Sequence, residues 1–516
     1  MSKRNISKMS YRQVCDRTAA LAAQLMELCL SSKITPCNAI ESLEAFHSLT
    51  SEIMAIQEEY SFVSKLESRG SRKACLEVTL SSVGGYASDM CAVHWFKEFG
   101  FGLRALVPIE EGDQLITVPR RAVCCLENSS KNLSMLEFSG SQPLGEFISQ
   151  DSLASNMENV ALCLCLLGEL YEGDNSPWQD YIKSLPSDYS IFLYMSVADI
   201  RHLKGSPTLE KVATNYLFIC RQYAYFCCQF MKNPKIVNVP NFVFCFKDYR
   251  WAVSTVMSRS NYIPHSNGRD KIMCLIPVWD MINHKFGHVT THYDPEMDEL
   301  VFNTMEAYEP GDQIFMDYGK RTNEEFFLFS GFVPDYNPHN KLTITLGLSS
   351  SDSLGLLRRQ LLQTLSLNVP LKCDLRSDKK SMTEFFIFSR IFSMDEGELN
   401  NQLMEANSDC QAVKLKLSEF KFTKEKSSDY KAFTFMINRL KLLIAAYGSV
   451  VLEGDPEWTQ LSSVQQNCER LKYHETAILR SSIRYVQRIM DDSDENNICG
   501  YDVFIRTNTN SNTDNV

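Results

Sequence analysis

The spacing of apolar residues predicts a helix near the N-terminus, because YRQVCDRTAALAAQLMELCL at 11–30 repeats apolar side chains at helical intervals. Residues 31–90 are more polar and irregular. The pattern changes in FKEFGFGLRALVPIEEGDQLITVP, where two β-type runs flank the turn sequence EEGD. This arrangement predicts a β-hairpin across that turn.

Helical periodicity dominates residues 130–258, in the segments ENVALCLCLLGELY, TNYLFICRQYAYFCCQFM and KDYRWAVSTVMSRSN. Several of these segments are apolar nearly all round, so we expect buried helices. Runs of β type return in CLIPVWDMINH, THYD, ELVFNTM and QIFMDYG, which are separated by the turns PEMD and EPGD. The sequence therefore predicts a β-rich region that is split by a helical insert.

After about residue 345 the pattern is helical again, and the apolar positions of 471–490 predict a helix with one buried face. The last residues are acidic and then rich in Asn and Thr, which predicts disorder. The predicted regions are an N-terminal helical region at 1–86, a β-rich domain at 87–319 with its insert, a helical domain at 320–490 and a disordered tail at 491–516.

Length, composition and charge narrow the class of protein. A chain of 516 residues exceeds what one hydrophobic core supports, and 44% hydrophobic with 22% charged residues is ordinary globular composition. A net charge of −11 disfavours nucleic acid or an anionic membrane as partner. The N-terminus lacks a signal peptide, and the longest apolar stretch, LKLLIAAYGSVVL, is too short to span a bilayer. We expect an intracellular monomer, in the cytoplasm with the nucleus as a second location.

The cysteines and histidines do not predict a metal site. Eighteen cysteines contain no CxxC pair, which favours free buried thiols over structural zinc. His284, His288 and His292 are spaced by four, but Lys285 stands where a zinc-protease helix has its glutamate. The following VTTHY run is β-branched rather than helical. GxSxG and Walker A motifs are also absent from the sequence, which disfavours hydrolases and nucleotide triphosphatases.

Polar residues cluster within two of the β-type runs. Trp279, Asp280, Asn283 and His284 lie in PVWDMINHKFGH, and Tyr318 ends a later run. Strand ends and loops carry function more often than strand interiors. On residue type alone, other interpretations remain. A tryptophan such as Trp279 in a strand is more often a core residue than a pocket residue. Arg259 could interact with the terminal carbonyls of its own helix, and Asp280 with His284 could form a buried pair.

The order GFGLRA, helical insert, RSN, VWDMINH, MDYG and EEFFLFSGFVPDYNPHN resembles the SET methyltransferases of the Rubisco large-subunit methyltransferase type. The resemblance covers about 90–350 and extends more faintly to about 490. Its most specific parts are YRWAVSTVMSRSNYIP at 249–264, the pair Asn283–His284 and the pair Tyr318–Gly319. It implies an α+β fold in which a SET-domain β-fold with a helical insert precedes an all-α C-terminal substrate-binding domain.

The resemblance also implies S-adenosylmethionine as the cofactor and a role for particular residues. Tyr318 matches the catalytic tyrosine, while Asn261 and Trp279 match the pocket for a target imidazole and Arg321 a further substrate contact. The residues that match cofactor contacts are Phe101, Arg259, Asp280, Asn283, His284, Ser330, Phe332 and Arg72. Phe99 stands where the family has an acidic residue, with Glu98 one place earlier, so one polar cofactor contact is expected to be lost or shifted.

The function that the resemblance implies is N-methylation of a histidine in actin. An imidazole is already neutral at cellular pH, whereas a lysine must first lose a proton. Two alternatives remain open: lysine methylation of a non-histone or ribosomal protein, and a catalytically weak module that binds actin or another partner. The first cysteine after Tyr318 is Cys373, so the cysteine-rich zinc segment of chromatin enzymes is lacking and a histone target is disfavoured.

Overall fold

The computed structural model describes residues 9–66, 86–87, 89–128, 144–237, 239–376, 382–419 and 428–492. Arg72 and, from residue 493 on, the predicted tail lie outside these ranges. The chain divides into two compact units. The first comprises Met1–Asp199, Glu210–Arg321 and Glu325–Phe332, and the second comprises Ile200–Leu209, Thr322–Glu324 and Val333–Val516.

Eight α-helices lie between residues 9 and 260 in the described chain. They are α1 (Tyr11–Ser31), α2 (Ala39–Gln57), α3 (Leu144–Gln150), α4 (Glu158–Glu172), α5 (Gln179–Ser184), α6 (Val197–Ile200), α7 (Thr208–Lys232) and α8 (Phe246–Arg259). The predicted N-terminal helix is confirmed as α1, which begins with a capping box at Ser10. The buried helix predicted from ENVALCLCLLGELY is confirmed as α4, in which every residue from Val160 to Leu170 is buried. Helix α2 occupies a stretch whose pattern had looked irregular.

The strands of the first unit form three small sheets. The strands are β1 (Tyr86–Ala87), β2 (Cys91–Phe96), β3 (Gly100–Ala105), β4 (Gln114–Pro119), β5 (Cys124–Cys125), β6 (Asn261–Pro264), β7 (Lys271–Leu275), β8 (Asn283–His284), β9 (Thr291–Asp294), β10 (Glu299–Asn303) and β11 (Gln313–Met316). Their orders are β1-β4-β10-β9, β2-β3-β11-β8 and β5-β7-β6. The helical insert therefore lies in sequence between β5 and β6.

The hairpin predicted across EEGD is wrong. Strand β3 pairs with β2 and β11, whereas β4 pairs with β1 and β10, so the chain changes sheets at this turn. Ile109 instead bridges to Tyr308, which holds the connection against the loop before β11. The tight hairpin joins β2 to β3, with Phe96 opposite Gly100. The turn at PEMD does connect two antiparallel neighbours, β9 and β10.

The apolar character of CLIPVWDMINH had suggested one continuous strand, but the structure divides this run. Strand β7 ends at Leu275, and a 3₁₀ turn at Trp279–Met281 intervenes before β8. Strand β8 then runs parallel to β11, with Asn283 opposite Phe315 and His284 opposite Met316. This pairing brings the two polar segments of the sequence to one place.

The second unit contains helices and one strand pair. Its elements after residue 333 are β12 (Lys341–Leu346), α9 (Gly355–Thr364), β13 (Leu371–Arg376), α10 (Thr383–Ser393), α11 (Glu396–Ser408), α12 (Cys410–Ser418), α13 (Ser428–Ala446) and α14 (Ser463–Asp492). The helix predicted at 471–490 is part of α14. The antiparallel pair β12–β13 was not predicted, since the region had been interpreted as all-α. Its core includes Phe385, Phe386, Leu440 and Leu479.

Residues 200–209 belong to the second unit although they lie far earlier in the sequence. The imidazole Nδ1 of His202 is 2.8 Å from a Glu469 carboxylate oxygen on α14. Gly205 has φ +89, and a Cβ there would collide with the Ala446 carbonyl, so only glycine fits. The segment is thereby held against α13 and α14. Among the described helices, none has the length and apolarity that a membrane crossing requires.

Candidate active site

Tyr318 follows β11 and is fixed by two hydrogen bonds to the β8 segment. Its hydroxyl donates to the Ile282 carbonyl over 2.7 Å, and its backbone N–H donates to His284 Nδ1 over 3.1 Å. Burial raises the pKa of Tyr318 to about 12, although the nearby Arg259 guanidinium opposes the rise. The phenol is therefore protonated at neutral pH and has a defined direction.

Two backbone groups contact Nδ1 of His284. The Tyr318 N–H donates to Nδ1 over 3.1 Å, which requires the tautomer with its proton on Nε2. The Met316 carbonyl oxygen lies 3.3 Å from the same Nδ1, and only the opposite tautomer would make a hydrogen bond of that contact. Burial lowers the pKa of His284, so the ring is neutral at pH 7. The Nε2 atom is buried and has no hydrogen-bond partner within the described residues. Phe326 stacks on the imidazole with ring centroids 4.8 Å apart, and Phe332 lies 6.2 Å away.

The glycine loop at the start of β3 packs directly on Asn283. The amide nitrogen of Asn283 donates to the Phe101 carbonyl over 3.0 Å. A Cβ on Gly102 would lie 2.8 Å from that nitrogen and 2.9 Å from the amide nitrogen of Gln313. A side chain at this position would therefore displace both amide groups. The half-buried Phe101 ring meets Trp95 edge to face at 5.0 Å.

Asp280 and Arg259 form a buried ion pair that a tyrosine from the insert completes. The Tyr181 hydroxyl, on α5, donates to Asp280 Oδ2 over 2.6 Å. Arg259 Nη1, at the end of α8, lies 3.5 Å from the same oxygen and donates to the Asp280 carbonyl over 2.8 Å. The Asp280 side chain is only 1% exposed. Burial raises its pKa, while the Arg259 guanidinium and the Tyr181 hydroxyl favour the charged form.

A strained turn precedes Asp280. Val278 has φ +64 and ψ −41, and the N–H of Trp279 donates to the Pro277 carbonyl over 2.8 Å. These are the features of a γ-turn with positive φ, which is rare and strained. For a β-branched residue this conformation is an outlier, with a cost of about 1–3 kcal/mol. The surrounding contacts must hold it in place.

The other predicted site residues lie around this centre. Asn261 begins β6, and its amide nitrogen donates to the Arg259 carbonyl over 3.1 Å. Trp279 is 4% exposed, and its ring lies 6.1 Å from that of Phe302. No hydrogen bond or ring contact joins Asn261 to Trp279 in the described chain. Arg321 Nη1 is 3.4 Å from the Ser330 hydroxyl, at the end of the π-helix Phe326–Ser330.

The structure therefore links most of the predicted cofactor and catalytic residues by direct contacts, while their roles remain predictions. Phe99, which replaces the acidic residue of the family, is half exposed and meets Phe315 edge to face at 5.6 Å. The Arg259 side chain donates a hydrogen bond to the Asp280 carbonyl, which lies outside its own helix. The partners of the Asp280 carboxylate are Arg259 and Tyr181, and not His284. Among the residues that the structure describes, no group of three or more His, Cys, Asp or Glu could hold a metal ion.

Three residues at this site escaped the sequence analysis. Tyr181 sits in DYIKSLP, a short amphipathic stretch that carries no chemical motif. Val278 looks like an ordinary strand valine, and only its positive φ distinguishes it. Phe326 looked like one aromatic of a helical run. The VWD and RSN segments gave a signal for Asp280 and Arg259, but none for the tyrosine that joins them.

Comparison with known families agrees with this geometry. The SET domain model matches residues 100–319, and the Rubisco LSMT substrate-binding model matches residues 349–479. The chain is thus a SET-domain protein that carries a Rubisco LSMT substrate-binding domain after the SET domain.

Its relatives specify the type further. The actin-histidine N-methyltransferase of Otolemur garnettii is 35% identical over 360 residues, which cover 69% of this chain and 58% of that protein. The Homo sapiens protein of the same name is 34% identical with the same coverage. The chain thus matches little more than half the length of these relatives.

Solved structures share the fold at low sequence identity. Rubisco LSMT bound to sinefungin and monomethyllysine superposes with a TM-score of 0.64 at 17% identity, over 82% of this chain and 93% of that one. The LSMT SET domain bound to lysine and AdoHcy gives 0.62 at 17% identity, over 83% and 94%. These matches establish the SET fold.

Proposed function

We propose that this chain is an S-adenosylmethionine-dependent protein methyltransferase that methylates a ring nitrogen of a histidine in actin. The similarity to actin-histidine N-methyltransferases supports this assignment. The observation that carries it is the Tyr318 hydroxyl, which is fixed on the Ile282 carbonyl beside the Asn283–His284 strand. The Tyr318 hydroxyl oxygen and the Ile282 carbonyl oxygen therefore lie next to each other beside the paired strands β8 and β11.

The side chains around His284 fit the proposed cofactor. Phe326 and Phe332 form an aromatic wall behind the Asn283–His284 strand, and aromatic rings pack well on a planar purine. S-adenosylmethionine, when bound, supplies an electrophilic methyl group on a sulfonium. Residues assigned to hold it are Phe101, Asn283, His284, Ser330 and Phe332, with Arg259 and Asp280 behind them. Arg72 remains a proposed contact from outside the described residues.

Tyr318 suits transfer of a polarised methyl group. The Tyr318 hydroxyl proton is used in the hydrogen bond to the Ile282 carbonyl. The lone pairs of the phenol oxygen can therefore accept a weak C–H hydrogen bond from the methyl group. Most of the benefit in such a displacement comes from holding nucleophile and methyl in line without water. A protonated, directed tyrosine contributes to that alignment without changing its own charge.

Asn261 suits an imidazole acceptor. Since the Arg259 carbonyl can only accept, the amide nitrogen of Asn261 faces it and the amide oxygen points elsewhere. That oxygen would accept the N–H of a neutral imidazole and leave the lone pair of the other ring nitrogen for the methyl group. Trp279 and Arg321 are assigned to the substrate side of the site.

The decisive experiment incubates the full chain with labelled S-adenosylmethionine and purified actin, and maps the label by mass spectrometry. Tyr318→Phe should retain cofactor binding and lose turnover by roughly 100-fold or more. Tyr473→Phe is the matched control, because Tyr473 on α14 is 44% exposed and far in sequence from the site residues. Absence of labelled histidine with the wild-type chain would refute the proposal.

Lysine methylation of a non-histone or ribosomal protein is the second candidate. It is favoured by the solved neighbours, which were captured with lysine and monomethyllysine. Label on a lysine in a cytosolic extract, with actin unlabelled, would select it. A chain that binds actin without binding S-adenosylmethionine would instead be a catalytically weak binding module. The observation that favours this alternative is Phe99, which stands where the family has an acidic residue. We further propose a cytoplasmic monomer, with the nucleus as a second location.

A further inference from the structure

The buried contact between Tyr181 and Asp280 is attached to the strained turn at Val278. Asp280 lies two residues after Val278, within the 3₁₀ turn Trp279–Met281. Of the non-glycine residues with positive φ in the described chain, Asn241, Val278, Asp298 and Ser366, only Val278 is β-branched. Strain of this kind persists only where the surroundings over-determine the conformation.

Two groups hold the Asp280 end of this turn. The Tyr181 hydroxyl reaches Asp280 Oδ2 over 2.6 Å, and Arg259 Nη1 holds the Asp280 carbonyl over 2.8 Å. Tyr181 is 0% exposed, and α5 carries it from the helical insert rather than from the strands. A charge-assisted hydrogen bond of this length is among the stronger ones in proteins.

The far end of the turn carries the acceptor for Tyr318. Ile282 donates its N–H to the Trp279 carbonyl over 3.1 Å, and its own carbonyl receives the Tyr318 hydroxyl over 2.7 Å. If the Val278 γ-turn relaxed to a negative φ, the peptide units of 279–282 would rotate. The Ile282 carbonyl would then no longer direct the phenol.

We propose that Tyr181 is a positioning residue, which through Asp280 keeps Val278 in its strained turn and so holds the Ile282 carbonyl that orients the Tyr318 hydroxyl. The proposal rests on the proposed methyltransferase function for its catalytic consequence. Its structural content stands independently of that function. It also gives Asp280 a different task from direct contact with the cofactor.

Tyr181→Phe removes one hydroxyl and keeps the ring. We expect turnover to fall about tenfold or more, because misplacement of a reacting group by a fraction of an ångström is costly, while the cofactor dissociation constant stays within about threefold. The control is Tyr249→Phe, another buried tyrosine of the same unit, whose hydroxyl donates to Gln222 over 3.0 Å. It should lose comparable stability and keep its turnover.

Val278→Gly supplies a test that a general structural role would not pass. Glycine adopts positive φ without strain, so the turn should persist in Tyr181→Phe/Val278→Gly and turnover should recover at least partly. Val278 is 3% exposed, so its removal leaves a cavity that lowers stability. A gain in turnover therefore cannot come from general stabilisation.

Hydrogen exchange gives the readout that does not depend on activity. The amides of Trp279 and Met281, which bond the Pro277 and Val278 carbonyls, should exchange faster in Tyr181→Phe and slow again in the double variant. Equal turnover of Tyr181→Phe and Tyr249→Phe, or failure of glycine to restore exchange protection, would overturn the proposal. A wild-type chain with no transferase activity would sink the proposed function alone, and the exchange data would still decide the positioning role.

Discussion

One buried carboxylate from each unit, Asp280 and Glu475, can be compared, because their neighbouring groups differ. Asp280 in the first unit has the Arg259 guanidinium 3.5 Å away and the Tyr181 hydroxyl at 2.6 Å. Glu475 in the second unit is 4% exposed and accepts hydrogen bonds from the hydroxyls of Ser206 at 3.0 Å and Thr208 at 3.1 Å, and the Tyr447 hydroxyl also favours its charged form. Burial raises the pKa of Glu475 to about 7, and the nearby Glu324 carboxylate adds to the rise.

The difference shows that burial alone does not fix the charge of an acid. Burial raises the pKa of Asp280, but the neighbouring Arg259 guanidinium opposes that rise and favours the charged form. Neutral donors leave Glu475 near the middle of its titration at neutral pH. Asp280 is therefore suited to holding a fixed backbone conformation. Glu475 instead makes the stability of its unit depend on pH.

Removal of the Asp280 carboxylate should have the largest effect. Asp280→Ala leaves the guanidinium of Arg259 without its anion, and breaking a buried pair in this way costs about 3–5 kcal/mol. The free energy of unfolding from urea titration measures the loss. Glu306→Ala is the control, since its ion pair with Lys285 has side chains that are 39% and 50% exposed. A loss equal to the control would mean that Asp280 is not a structural anion.

Glu475→Gln should change the pH dependence of the second unit. The pKa of Glu475 is raised from 4.5 to about 7, so its contribution to stability is full below pH 4.5 and is lost as pH rises through 7. Relative to wild type, the variant should gain about 3 kcal/mol between pH 4.5 and 8. Hydrogen exchange of α14 at several pH values measures this. Glu453→Gln, at a side chain 72% exposed, should show a flat difference.

Thr208→Val should have a smaller effect on the same group. It keeps the shape and removes one donor to Glu475, which should cost about 1 kcal/mol and raise the pKa of Glu475 further. Thr208→Ser keeps the hydroxyl and serves as the control. If both variants exchange α14 amides at the same rate, the hydroxyl does not support the carboxylate.

An exposed ion pair should have the smallest effect. Lys416 and Glu405 are 2.7 Å apart, but their side chains are 57% and 48% exposed. Lys416→Ala should change the free energy of unfolding by less than about 1 kcal/mol, because water screens the pair. Urea titration at low and high salt measures it. A loss as large as that of Asp280→Ala would mean that pairing, rather than burial, decides the cost.

The sequence predicted those features that depend on local pattern or on motif. Helix α4 follows from a run that is apolar all round, and the segments GFGLRA, VWDMINH and MDYG identified the site through resemblance. The pattern could not predict which strands pair. The turn EEGD has good hairpin residues, yet β3 and β4 join different sheets, because pairing depends on partners two hundred residues away.

Residues that act on the site from a distance were also beyond the sequence. Tyr181 has no motif, and its importance arises only because α5 carries its hydroxyl to Asp280. The strain at Val278 is a property of its backbone dihedral angles, and a valine in the sequence gives no indication of a positive φ. Strand pair β12–β13 was missed for a similar reason, since short apolar runs do not distinguish strand from helix.

The inclusion of residues 200–209 in the second unit limits how the polypeptide can be divided or synthesised. A fragment that starts at Thr322 would lack the hydroxyl of Ser206 and the imidazole of His202, so Glu475 and Glu469 would lose partners. On the ribosome, this short segment emerges more than a hundred residues before α13 and α14. Its docking must therefore wait until α13 and α14 have been synthesised, so residues 200–209 spend that interval without their partners.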